Sequence, residues 1–206
     1  MSLTTLDRAY LAKDAYEDRS REASATDAEN NVVQVGGRTY RVLAYVSKPS
    51  GYQGTAYRDV LSGEVTIASR GTEIPWQLNR DLLRTDGGMV VKAVNAQADD
   101  AIEFARKAIE LTKDRAREWN QPIPPITAVG HSLGGSNAQI QAHRLGIRAE
   151  TFNAYGTAEL PIMQGPGKPG AQVVNHMAAG DFVSAASRHF GTQRVYATEA
   201  DIAHLR

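Results

Sequence analysis

A short apolar strand that runs directly into a serine between glycines constrains this chain more than any other feature. Residues 128–135 read AVGHSLGG, with Ser132 at the centre. In a G-x-S-x-G arrangement the strand turns so sharply into a helix that the serine takes a positive φ and its hydroxyl projects above the sheet. A Cβ at Gly130 or Gly134 would collide with the neighbouring strand or helix. The pattern predicts a nucleophilic serine at the edge of an α/β sheet.

A glycine-rich turn between a strand and a helix can also bind phosphate without doing chemistry. That alternative fits poorly, because a Walker A loop needs Gly-Lys followed by Ser or Thr. A dinucleotide-binding loop needs glycine where Ser132 stands. We therefore expect neither nucleotide nor any other cofactor.

Composition limits the other functions open to the chain. Its 206 residues, 42% of them hydrophobic, suit one layered domain over residues 1–206. The 23 basic and 23 acidic residues balance, which disfavours electrostatic binding to nucleic acid. The chain has no cysteine, so a thiol nucleophile, disulfides and cysteine metal sites are excluded, and we expect no metal. No signal peptide or apolar span is visible, which predicts a soluble chain that, if exported, uses a route without a cleaved signal.

Hydrophobic periodicity predicts antiparallel strands early in the chain and alternating helices and strands later. We predict a hairpin over residues 54–61 and 64–69, and a mainly parallel sheet with right-handed crossovers in the second half. The other predicted strands are 32–35, 38–46, 126–129, 150–154, 172–177 and 193–197, and the predicted helices are 6–15, 94–119 and 137–145.

A serine hydroxyl is a weak nucleophile unless a base takes its proton and a carboxylate orients that base. In this kind of fold the acid follows the serine along the chain, on a loop beyond a later strand. Asp181 fits, since it comes after the strand at 172–177 and a turn of small residues. It could equally cap the helix that follows, and both roles are compatible. Glu150 and Glu159 are weaker candidates.

Of five histidines, His131, His143 and His176 lie in the elbow, a helix and a strand, where structural roles are expected. The base is then His204 or His189. If the strand at 193–197 runs parallel to the others, His204 reaches the edge that carries Ser132. If the chain turns back after Asp181, His189 stays there instead. We favour His204 and keep His189 as the alternative.

The tetrahedral intermediate of acyl transfer also needs fixed hydrogen-bond donors for its oxyanion. The backbone N–H of Leu133, directly after the serine, is one expected donor. The second usually comes from a loop after an early strand. The strand at 64–69 ends in the turn Arg70-Gly71-Thr72, so we predict the Thr72 amide as that donor.

These segments together resemble the class 3 lipases, an α/β-hydrolase group that includes the fungal triacylglycerol lipases. The shared features are Ser69-Arg70-Gly71-Thr72, Trp76, Asp81-Leu82, the GHSLGG elbow, Asn175 and Asp181-Phe182-Val183. The resemblance implies an α/β-hydrolase fold with a mostly parallel sheet, and hydrolysis of glycerolipid esters with Ser132 as nucleophile, Asp181 as acid, and the Thr72 and Leu133 amides as oxyanion donors.

The resemblance also bears on the base. The family's base lies in a short His-Leu segment after a strand, which Ala203-His204-Leu205 resembles. His189-Phe190-Gly191 resembles an earlier, non-catalytic position. The interval from Asp181 to His204 is shorter than in fungal members, so a histidine beyond this sequence is a third alternative.

The expected partner is a lipid or other acyl ester, with a transient contact at a membrane or micelle surface. The apolar stretch from Ile74 to Val91 is a candidate lid on a loop before the long helix, and core packing is the alternative for its large side chains. Two other functions stay open. One is hydrolysis of small esters or thioesters, and the other is an inactive hydrolase-fold binding module.

Overall fold

A computed structural model describes residues 1–26, 29–71 and 87–203. Eight strands form a single sheet in which the spatial order follows the chain order. The strands are β1 (Val32–Val35), β2 (Arg38–Ser47), β3 (Gln53–Asp59), β4 (Val65–Ser69), β5 (Ile126–His131), β6 (Arg148–Phe152), β7 (Gln172–Ala178) and β8 (Thr192–Tyr196).

The sheet changes from antiparallel to parallel at β4. Strands β1 to β4 form an antiparallel meander, which confirms the predicted hairpin between β3 and β4. Strands β4 to β8 are parallel to one another, as predicted for the second half. Because parallel neighbours need long crossovers, helical segments separate these strands and their carboxyl ends meet at one edge.

The described helices are α1 (Thr5–Asp14), α2 (Ser20–Ser24), α3 (Gly87–Glu118), α4 (Leu133–Leu145), α5 (Phe182–Ala185) and α6 (Glu199–Ala203), with a 3-10 turn at Pro161–Met163. Helix α1 begins with a capping box, in which the Thr4 hydroxyl accepts from the Asp7 amide and the Asp7 carboxylate accepts from the Thr4 amide. Within the described ranges, no helix is both long and apolar enough to span a membrane.

Helices cover both faces of the sheet. Val129 of β5 packs in one buried cluster with residues of α1, whereas the adjacent Ala128 packs with α4 on the opposite face. This alternation follows from the two-residue period of a strand. Helix α3 packs beside α4, through Val94, Ala98 and Ile140. The result is the α/β layering that the sequence predicts.

The starts of two predicted helices need correction. Helix α4 begins at Leu133 rather than at residue 137, because the chain enters the helix immediately after Ser132. Helix α3 begins at Gly87, so residues 87–91, predicted as the end of a lid loop, belong to the helix. Val90 and Val91 pack beside the cluster that contains Leu133. Residues 74–86 of the predicted lid lie outside the described ranges.

Candidate active site

Ser132 is held at a sharp turn between β5 and α4. Its φ is 54° and its ψ is −127°, in a region that non-glycine residues rarely occupy. The Ser132 amide donates to the Phe152 carbonyl of β6 over 3.0 Å, and the Ser132 carbonyl accepts from the Gly135 amide over 2.9 Å. These bonds fix the strained backbone on both sides.

The two elbow glycines allow this turn because neighbouring backbone leaves no room for a side chain. A Cβ at Gly134 would lie 2.1 Å from the carbonyl oxygen of Ser69, at the end of β4. A Cβ at Gly130 would lie 2.2 Å from the carbonyl carbon of Gly134. Both distances are far below van der Waals contact, so the predicted collisions with the neighbouring strand and helix are present.

We expect Gly134→Ala to destabilise the protein by about 2 kcal/mol, the usual scale of overpacking, and to lower activity by moving β4 away from the elbow. This loss should exceed the gain of about 1 kcal/mol that alanine brings to a helix. Gly167→Ala is the matched control, since its nearest neighbour is the ring of His143 at 3.0 Å. Chemical denaturation of both variants tests this, and equal stability of the two would contradict the steric account.

The start of α4 offers backbone N–H groups to a ligand above Ser132. The first amides of a helix have no acceptor within the helix. Among the described residues, the Leu133 amide has no hydrogen-bond acceptor. Thr72, the other predicted donor, lies outside the described residues. Its neighbour Gly71 approaches the elbow closely, because a Cβ there would lie 2.6 Å from the His131 carbonyl oxygen.

His131 connects the elbow to the segment after α1. Its Nδ1 lies 3.0 Å from the Tyr16 hydroxyl in a hydrogen bond. Desolvation by the surrounding protein lowers the pKa of His131, and the Asp181 carboxylate acts against this shift. His131 therefore lies within electrostatic range of Asp181. Tyr16, in a polar stretch without a motif, is a contact that sequence reasoning missed.

Asp181 follows β7 at the same sheet edge as Ser132. Its Oδ2 accepts from the Ser184 amide over 2.8 Å, so Asp181 caps α5, as one of the two sequence interpretations predicts. Within the described ranges, no hydrogen bond occupies Oδ1 of Asp181. The cap therefore leaves one carboxylate oxygen for a second partner.

His189 is buried and its ring is engaged elsewhere. Its Nε2 donates to the Ser184 carbonyl over 2.7 Å, and its Nδ1 is enclosed without a partner in the described part of the chain. No hydrogen bond joins His189 to Ser132 or to Asp181 among these residues. This hydrogen bond joins the segment before β8 to α5.

The direction of β8 decides between the two topologies considered for the base. Strand β8 runs parallel to β7, with Ala178 opposite Tyr196. Its carboxyl end therefore reaches the edge that carries Ser132 and Asp181. This is the arrangement under which His204 is expected there. His204 itself lies outside the described residues.

The remaining candidate acids and histidines have structural contacts. Glu150 accepts from Arg8 over 2.9 Å and lies 3.3 Å from Nε2 of His176. Burial lowers the pKa of His176, with Glu150 opposing the shift. Glu159 lies on an exposed loop 3.9 Å from Arg188. The ring of His143 contacts the Gly165 carbonyl at 3.2 Å.

Asn175, one of the motif residues, is buried in β7, and its side chain forms hydrogen bonds that link β7 to β6 and β8. Its Oδ1 accepts from Thr151 of β6 over 2.7 Å, and its Nδ2 donates to the carbonyls of Phe190 and Thr192. It thereby fixes β8 beside β7. Trp76 and Asp81-Leu82 of the same motif set lie outside the described ranges.

Several solved structures with a similar fold are lipases. The chain matches a lipase from Rhizopus microsporus var. chinensis with a TM-score of 0.60 at 13% identity, covering 95% of this chain and 76% of that one. For lipase II from Rhizopus niveus the TM-score is 0.60 and the sequence identity 13%, and the match covers 92% of this chain and 78% of that one. For a triacylglycerol lipase from Penicillium expansum the TM-score is 0.55 and the sequence identity 15%, and the match covers 93% of this chain and 78% of that one. A comparison with curated protein sequences gives no match.

The elbow, the sheet order and these matches define an α/β-hydrolase fold of the lipase type. The family model of the Tle-like phospholipase domain matches residues 7–195. The chain belongs to this family of phospholipase-like domains and is a carboxylic ester hydrolase that acts on lipid esters.

Proposed function

We propose that this chain hydrolyses lipid acyl esters through a triad of Ser132, His204 and Asp181. The observation that carries the proposal is the elbow, which holds Ser132 at φ 54° with glycines on both sides. A strained, half-buried serine turn of this kind costs stability, and such strain concentrates at functional sites.

In the first half of the reaction, His204 takes the proton of the Ser132 hydroxyl as Oγ attacks the ester carbonyl carbon. The C–O bond to the alcohol then breaks, and His204 returns the proton to the leaving alkoxide. This gives the free alcohol and an acyl ester on Ser132. In the second half, water loses a proton to His204 and attacks the acyl carbon. The bond from that carbon to Oγ then breaks, which releases the fatty acid, and His204 returns the proton to Oγ so that the Ser132 hydroxyl is restored.

The developing oxyanion would accept hydrogen bonds from the amides of Leu133 and Thr72. Leu133 supports this role because its amide belongs to the first turn of α4, where the helix dipole also favours negative charge. Gly71 supports the contribution of the turn, because its backbone lies against the His131 carbonyl. A preorganised donor of this type contributes about 3 kcal/mol to transition-state stabilisation.

Two observations support Asp181 and His204 as the remaining members. The Oδ1 atom of Asp181 is open while Oδ2 caps α5, so the carboxylate is fixed in place and can accept from a histidine. The parallel direction of β8 takes the chain toward the same edge, and the strand ends at Tyr196, eight residues before His204. One matched structure, 13% identical, is described as a triacylglycerol lipase whose catalytic centre is a serine protease triad.

Apolar side chains around this edge support a lipid substrate presented at a surface. Phe182, directly after Asp181, is 48% exposed, and Leu6, Tyr196 and Ile202 are also exposed. A cavity of about 470 Å³ lies between α1 and the carboxyl ends of β6 to β8, bordered by Phe152 and Tyr196. Exposed apolar groups at one edge are suited to transient contact with a membrane or micelle.

The test is fatty acid release from a short-chain phosphatidylcholine, measured below and above the concentration at which it forms micelles. We expect release to rise sharply above that threshold, because the exposed apolar edge then meets an interface. Phe182→Ser should reduce the rise, whereas Val60→Ser, at the opposite end of the sheet, should leave it unchanged. Activity confined to soluble short-chain esters would contradict a lipid substrate.

A further inference from the structure

A second cavity opens at the amino ends of the parallel strands, opposite the edge that carries Ser132. It has a volume of about 440 Å³, within the range of small-molecule sites. Its walls come from the β3–β4 hairpin, the last turns of α3 and the proline-rich segment that leads into β5. Leu43, Val65 and Ile123 give it an apolar lining.

Two arginines line this cavity, Arg58 of β3 and Arg115 of α3, beside both its apolar residues and the polar Thr112 and Gln121. Among the described residues, neither forms an ion pair with a carboxylate. The nearby Arg117 differs, because it pairs with Asp114 over 2.7 Å. Two uncompensated arginines against an apolar wall give the cavity a local positive charge in a chain whose formal net charge is +0.

The Arg58 side chain is held in position before any ligand arrives. Its guanidinium carbon lies 5.2 Å from the centre of the Trp119 ring, in a cation–π contact. On another side, a Cβ added at Gly63 would lie 3.4 Å from Nη2 of Arg58, so the hairpin turn is close to this group. The planar group therefore lies between the helix end and the hairpin turn, with less side-chain entropy to lose on binding.

We propose that this cavity binds an anionic amphiphile, with a carboxylate or phosphate head on Arg58 and Arg115 and an alkyl chain along the apolar wall. Guanidinium groups recognise carboxylate and phosphate oxygens through paired N–H donors. Within this lining Trp119 and Ile123 are exposed apolar residues, and Leu61 in the adjoining β3–β4 turn is exposed as well. The site is distinct from the Ser132 edge and does not depend on the proposed reaction.

The test is calorimetric titration of the protein with octyl phosphate and with octanoate, both below their micelle concentrations. We expect 1:1 binding that shifts the indole N–H resonance of Trp119. Arg58→Gln and Arg115→Gln should each weaken binding about tenfold, equal to about 1.4 kcal/mol. The neutral analogue 1-octanol and inorganic phosphate should each bind at least about tenfold more weakly than octyl phosphate. The reason is that 1-octanol lacks the anionic head group and inorganic phosphate lacks the alkyl chain.

Arg117→Gln is the matched control and should leave the affinity unchanged within about twofold, because Arg117 is exposed and paired on the same helix. The comparison of octyl phosphate with octanoate identifies the preferred head group. Full affinity in the Arg58→Gln, Arg115→Gln double variant would overturn the proposal. Loss of binding in Ser132→Ala would also overturn it, because the ligand would then occupy the opposite edge.

Discussion

Ser132→Ala is expected to lower kcat for ester hydrolysis by about 10⁴-fold or more, the scale seen when a triad nucleophile is removed. The folded state should lose little stability, because the Ser132 hydroxyl makes no capping hydrogen bond to α4. Alanine at φ 54° is also no more strained than serine. Initial rates with a p-nitrophenyl ester, together with a thermal melt, measure both effects.

Ser136→Ala provides the matched control, four residues further along the same helix. Its hydroxyl is buried and donates to the Tyr155 carbonyl over 2.8 Å. Its removal leaves that carbonyl with one partner fewer, which should cost about 1 kcal/mol of stability. Turnover should stay within a few fold of the wild type. A comparable loss of turnover in the two variants would indicate that disruption of α4, rather than loss of a nucleophile, explains the effect.

His204→Ala is expected to have the second largest effect, again about 10⁴-fold in kcat, because the hydroxyl of Ser132 is unreactive without a base. His189→Gln should retain turnover, since the glutamine amide can still donate to the Ser184 carbonyl that His189 contacts at 2.7 Å. The comparison uses the same ester assay at neutral pH.

The reverse pattern, with turnover kept in His204→Ala and lost in a folded His189→Gln variant, would contradict the proposed triad. If both variants keep their turnover, neither His204 nor His189 is the general base. Circular dichroism of each variant separates these results from unfolding, which is a concern for His189 because its ring is buried.

The sequence predicts the elbow well because its constraint is local. A serine between Gly130 and Gly134 after an apolar strand leaves few backbone geometries, because a Cβ at either glycine would meet backbone atoms. The layered α/β fold is also predictable. In the second half of the chain, short apolar strands alternate with longer segments whose apolar residues recur at helical spacing. The start of α4 is misplaced by four residues because Gly134-Gly135 weakens the helical pattern.

Contacts between distant segments are less predictable. The hydrogen bond between Tyr16 and His131 joins residues 115 positions apart, and Tyr16 lies in a stretch with no apolar period. The ring of His189 is directed to Ser184 by the short helix α5, which no sequence pattern indicates. The direction of β8 likewise depends on its pairing with β7, whose register Asn175 supports from a buried position.

The most direct test of the account is reaction of the native protein with a fluorophosphonate, followed by peptide mass spectrometry. An activated serine attacks the phosphorus and displaces fluoride, which leaves a stable phosphonate ester on its oxygen. We predict one adduct per chain, on the peptide that contains Ser132, and none after heat denaturation or in Ser132→Ala. No adduct on the native protein, or an adduct on a different serine, would contradict the central claim that Ser132 is the nucleophile.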